Sequence, residues 1–143
     1  MLVKTLLWRG SHTPEDVPKW AKVRGKLSFE LKEAGIQYRC DTCESYGASQ
    51  VCSRCGGQEG EPVFRSSVSL TDASQATLNA VLVDHDRHLQ QLCGVPPRHE
   101  DAPSFFASRI YHSFHNKLVS CYVMHVRGTV PAFKIVKLSH LRR

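Results

Sequence analysis

At 143 residues, with hydrophobic residues at 41%, the chain has the size and composition of one globular domain with its own core. No apolar run approaches 18 residues, so no membrane-spanning helix is expected, and the apolar start Met1–Leu7 is too short for a signal-peptide core and cleavage site. The net charge of +6 is uneven: after Asp101 there is no acidic residue, while Arg109, Lys117, Arg127, Lys134, Lys137, Arg142 and Arg143 follow with four histidines, which suggests a polyanionic partner.

Residues 1–20, with Pro14 and Pro18, read as a short strand and an irregular lead-in. From Ala21 to Lys32 the pattern has period 2. Ala21, Val23, Leu27, Phe29 and Leu31 share one face, and Lys22, Arg24, Lys26, Ser28, Glu30 and Lys32 share the other. That is a strand with one buried side, and Gly25 in its middle predicts a bulge or a bend at a barrel corner.

Two C-x-x-C knuckles follow, Cys40–Cys43 and Cys52–Cys55, eight residues apart. Each turn aims two thiolates at one point, and two such turns complete a tetrahedral four-sulfur site that suits structural Zn²⁺. Gly56-Gly57 permits the sharp backbone path. Six cysteines also allow 15 disulfide pairings, and a C-x-x-C can be a redox dithiol, although no βαβ pattern accompanies these. A catalytic zinc would keep a position open for water, which four thiolates would fill. Cys93 and Cys121 lie in apolar segments and read as buried small hydrophobes. Reduced thiols point to the cytosol or nucleus.

Val63–Leu70 reads as a second strand, Thr71–Gln75 as a turn and Ala76–Val83 as a third strand. Asp84 or Asp86 caps a short helix with Leu89, Leu92 and Cys93 inward, stopped by Gly94 and Pro96-Pro97. A second helix opens near Pro103 with Phe106, Ile110 and Phe114 at helical spacing, and Asn116 ends it. Leu118–Val126 and Ala132–Leu138 are the last strands, joined by Arg127–Pro131. Five strands, with a ribbon after the first and helices between the third and fourth, give the order of an all-β OB-fold barrel. The domain proper is expected over residues 21–143, with the ribbon at about 36–60.

The stretches Tyr38-Arg39-Cys40, Phe64 to Asp72 and Leu89 to Gly94 resemble the zinc-ribbon OB-fold family. It is typified by the C-terminal DNA-binding domain of the replication protein A large subunit. Relatives include shieldin complex subunit 2, the large subunit of the CST telomere complex and protection-of-telomeres proteins. The resemblance runs from about Ala21 to Leu141 and implies a nuclear single-stranded DNA-binding module of replication, repair or telomere maintenance. That family's domain continues into a C-terminal assembly helix, whereas this sequence stops at Arg142-Arg143, so the trimeric assembly is not carried over. The knuckle spacing also differs, so ribbon contacts are not carried over either.

OB barrels bind across their second and third strands, flanked by the loops joining strands 1–2 and 4–5. Those loops are here the ribbon and Arg127–Pro131. Metal ligands are therefore expected at Cys40, Cys43, Cys52 and Cys55, and DNA contacts at Lys22, Arg24, Lys26, Arg39, Arg54, Arg65, Arg127 and Lys134. Tyr38, Tyr46 and Tyr122 are candidate stacking rings, while Phe64, Phe106 and Phe114 have the spacing of core. The few outward aromatics favour a second reading, a module that docks a partner protein subunit, with Phe105-Phe106 as one apolar place to look. No Walker loop, nucleophile elbow, H-E-x-x-H or zinc-deaminase signature occurs, so no enzyme is expected. The eight histidines read as surface or boundary residues.

Overall fold

The computed structural model describes residues 1–13, 15, 19–30, 35–47, 51–57, 60–84, 86–98, 102–126 and 132–141. Its elements are α1 (Val3–His12), β1 (Ala21–Phe29), β2 (Gly35–Arg39), β3 (Tyr46–Gly47), β4 (Glu61–Thr71), β5 (Thr77–Val83), α2 (His88–Cys93), α3 (Ala102–Phe114), β6 (Lys117–His125) and β7 (Phe133–His140).

Five strands close a barrel in the order β1-β4-β5-β7-β6, because β1 pairs with both β4 and β6. Every seam is antiparallel except β5–β7. This is the ring of an OB-fold. The short strands β2 and β3 extend the sheet beyond the ring, with β2 on the first half of β4. The predicted barrel, the ribbon after its first strand and the helices between its third and fourth strands are all present.

Alternation builds the core. Ala21, Val23, Leu27 and Phe29 of β1, Val68 and Leu70 of β4, and Leu78, Ala80 and Leu82 of β5 point inward. Val119, Cys121 and Val123 of β6 and Phe133, Ile135 and Leu138 of β7 meet them. Burial of Cys121 pushes its thiol up to about 12, so it packs as a neutral apolar group. Cys93 is only half-buried and packs against the edge of the core.

Residues 3–12 differ from the sequence expectation of a strand. They form α1, with Val3 and Leu6 fully inside the core and Leu7 packed against it. The spacing i, i+3, i+4 is helical, but an apolar run this short is ambiguous between helix and strand. The capping group is remote in sequence. Leu2, at the N-cap, offers no side-chain bond, and Asp72 instead accepts the Val3 N–H at 2.7 Å across 69 residues.

Gly25 also differs. The β1–β6 register runs unbroken through it, so there is no bulge. A Cβ there would lie 2.7 Å from the Thr71 carbonyl oxygen, at the place where β1 leaves β6 and joins β4. The glycine permits close backbone approach at barrel closure. The register shift falls instead between β6 and β7 near Ser120 and Tyr122, beside Lys137 at φ 54°. β1 is described only to Phe29, and Leu31 and Lys32 lie outside the described residues.

The helices are tied down by polar groups. Asp84 is buried and accepts the N–H groups of Leu89 and Gln90, and Asp86 accepts that of His88. Burial holds the Asp84 carboxyl above its ordinary range against those bonds. Gln90, also buried, accepts the Phe64 N–H of β4. Leu92 does not face inward as expected but stands 68% exposed, because the side of α2 turned to the protein carries Leu89, Gln90 and Cys93, with Gln90 bonded to β4. Asn116 ends α3 at φ 59°, donating its N–H to the Leu27 carbonyl, and the His115 ring accepts the Phe29 N–H. Ile110 and Phe114 are buried as their spacing predicted, and Phe106 packs against the core.

Candidate metal centre and nucleic-acid interface

The two knuckles repeat one backbone device. Cys40 and Cys52 each accept, at the carbonyl, the N–H of the residue four on, Glu44 and Gly56. Those two residues have positive φ, 60° and 78°. The turn closes when Cys40 N–H bonds to Ser45 O and Cys52 N–H to Gly57 O. Gly57 serves the sulfurs directly, since a Cβ there would meet the Cys40 sulfur at 3.1 Å.

The turns bring the predicted ligands Cys40, Cys43, Cys52 and Cys55 together, with all four sulfurs within 4.8 Å of one another. Cys40 lies 3.3 Å from Cys55, and Cys43 lies 3.5 Å from Cys52, so the close pairs bridge the knuckles. None of the six cysteines is disulfide-bonded. Metal–sulfur bonds of about 2.3 Å in a tetrahedron require sulfurs about 3.8 Å apart. The observed spacings bracket that value, so the donor set fits one thiolate-bound metal ion.

Ser45 was not singled out from the sequence. Its hydroxyl lies 2.9 Å from the Cys43 sulfur and 3.5 Å from that of Cys52. It is the leading cause that lowers both thiols, Cys52 to about 6 with help from the backbone of Cys55 and Arg54. A hydroxyl two residues beyond a knuckle cysteine was the available signal. The Gly57 backbone pulls Cys55 down, but contacts with the Cys40 and Cys43 sulfurs outweigh it and push that thiol up to about 12. Four thiols held this close resist becoming four bare thiolates, which is the repulsion a bound cation relieves.

The predicted cations divide into two groups. Arg39, Arg65 and Lys134 gather at the foot of the ribbon. Arg39 pairs with Glu44 at 2.9 Å. Arg65 donates to Gln37 at 3.2 Å and lies 4.6 Å over the Tyr46 ring. Burial, then the charges of Arg65 and Arg39, lower Lys134. Burial raises Tyr46 against the pull of Arg39 and Arg65. The Arg65 Nε and the Tyr46 hydroxyl are buried without a hydrogen-bond partner among the described residues. Arg54 stands exposed on the second knuckle.

This cluster borders the outer face of β4 and β5, where Ser67 opposes Val81, Ser69 opposes Asn79 and Thr71 opposes Thr77. The face is polar and carries no ring. Tyr46 is the ring at its edge, and one side of it is taken by Arg65. Tyr38 is half-buried on β2. Lys22, Arg24 and Lys26 form the expected stripe on the outer face of β1, opposite Tyr122, Ser120 and Leu118 of β6; Lys26 also pairs with Thr71 of β4, so the stripe meets the end of the β4–β5 face away from that cluster. Arg127 and the whole Arg127–Pro131 loop lie outside the described residues.

Phe105 and Phe106 are half-buried against each other, and Arg109 lies over Phe105 at 4.7 Å. The exposed apolar side chains near the helices are instead Leu92 and Val95. Histidines 12, 88, 112 and 140 are exposed, 115 and 125 are half-buried, and 85 and 99 lie outside the described residues. Among the described residues the cysteine cluster is the one group arranged to hold a metal.

Fold and site together define the class: an OB-type barrel bearing a four-cysteine ribbon of metal-binding geometry. Compared with known proteins, the chain matches no family model and no curated sequence.

Proposed function

We propose that the chain is a single-stranded DNA-binding module whose ribbon is clasped by one structural Zn²⁺, akin to the zinc-ribbon OB-folds typified by replication protein A. It serves DNA replication, repair or telomere maintenance in the nucleus, alongside protein subunits of such a complex, and has no catalytic role. One observation carries the reading: the ribbon is rooted on the first half of β4, so Arg39, Arg65 and Lys134 stand together beside the β4–β5 face. That face is where OB barrels take a strand. Zinc is favoured over other ions because four thiolates in a tetrahedron match it and leave no open position for chemistry.

Fluorescence anisotropy with a labelled oligothymidylate at low salt tests the reading, since phosphate contacts are strongest there. Zinc-loaded protein should bind, and affinity should fall steeply with added salt. Arg65→Glu combined with Lys134→Glu should weaken binding at least about tenfold. No binding by zinc-loaded protein at low salt would sink the proposal.

The alternative is a docking module for a partner subunit. Leu92, 68% exposed, lines a cleft of about 440 Å³ with Leu89, Cys93 and Phe114 between α2 and α3. Retention of a partner protein by a variant that no longer binds DNA would favour that alternative.

A further inference from the structure

Three tryptophan or tyrosine rings are exposed: Trp8 at 56% on α1, where it stacks on His12, and two others on or beside the barrel wall. Trp20 is 41% exposed at the entry to β1, and Tyr122 is 38% exposed on β6. In register, Tyr122 lies directly opposite Lys22, with Arg24 and Lys26 following along the same strand face. Trp20 lies two residues before Lys22, just outside β1. The three cations repeat every second residue, about 6.6 Å apart. They are exposed, and among the described residues their side chains take part in no ion pair or hydrogen bond. The nearby carboxylate of Asp72 is occupied by Val3 and Ser74. By contrast, Arg39 and Arg65 in the groove are already engaged.

Binding of single strands needs cations for phosphates and free ring faces for bases. The β1–β6 wall has both. An acidic peptide would use the cations but gain nothing specific from two flanking rings. We propose that the β1–β6 wall is a second track for single-stranded nucleic acid, with Trp20 and Tyr122 as stacking rings and Lys22, Arg24 and Lys26 as phosphate contacts. This track rests on the function proposed above for its ligand class, and it abuts the groove face at Lys26, which pairs with Thr71 of β4.

The test uses labelled oligothymidylate and the full chain. Trp20→Ala and Tyr122→Ala should each weaken binding about 5- to 150-fold, the range of one lost stacking contact. Lys22→Glu with Lys26→Glu, a surface change away from the core, should weaken it as well and flatten the salt dependence. With Trp8→Phe as background, Trp20 fluorescence should be quenched by the oligonucleotide. Should Trp20→Ala fail to fold, the charge-reversal pair and the quenching still decide. No binding by the unaltered chain overturns both readings. Full affinity in the Trp20, Tyr122 and charge-reversal variants, with loss in Arg65→Glu/Lys134→Glu, overturns this one alone. Displacement of the oligonucleotide by polyglutamate at equal charge concentration overturns the nucleic-acid assignment in favour of an acidic protein segment.

Discussion

Asp72 joins two parts of the fold with one carboxylate. One oxygen accepts the first helical N–H of α1, and the other accepts the backbone and hydroxyl of Ser74 in the β4–β5 turn. Burial alone would raise the group, but those bonds outweigh it and hold it below its ordinary range. Its stabilisation is therefore fully present above the unfolded value of about 3.9 and is lost as pH falls through the lower folded value. Asp72→Ala should cost about 1–3 kcal/mol in urea unfolding at neutral pH, and the deficit should shrink in acid. Ser45 acts through its sulfur contacts. Ser45→Ala should lower metal affinity about 10- to 100-fold, read by competition with a chromophoric chelator, without unfolding the barrel. Both cysteine pairs and the following glycines were legible in the sequence, because spacing and backbone freedom are local. Ser45 and Asp72 were less so, since their value depends on what folding brings to them.

Strands with one wet face announce themselves by alternation, and β1, β4, β5, β6 and β7 were all readable within a few residues. α1 was not readable. Its core contacts are three short aliphatics and its cap comes from a turn far along the chain. Leu6 and Leu92 test how the helices are seated. Leu6→Ala should cost about 2–5 kcal/mol, because the side chain is 1% exposed within the core. Leu92→Ala, at 68% exposure, should change the unfolding midpoint little. Equal losses at both positions would contradict the seating of α2. Gly25 shows a subtler limit of sequence reading: the pattern revealed that something special happens there, and only the closed ring revealed that it is the approach of Thr71.

Among the described residues, the barrel core contains no side chain from the ribbon. Removing the metal should therefore melt the ribbon while the barrel keeps its circular dichroism and a cooperative unfolding transition. Loss of all structure on chelation would contradict that independence. The sequence showed the outward cations of β1 by alternation, yet not how the cations would be distributed around the barrel, because that depends on how the ring closes. The ring also has an uneven fastening. The parallel β5–β7 seam rests on two register pairs, Val81 with Lys134 and Leu82 with Ile135. A ring breathes where it is held by fewest rungs, so amide protons of Leu82 and Ile135 should exchange with solvent sooner than those of Val23 and Cys121 on the seven-pair β1–β6 seam. Lys134 sits on the short seam itself. A strand laid across the β4–β5 face and gripping Lys134 would act as a suture, and hydrogen exchange at Leu82 and Ile135 should slow when oligonucleotide is added.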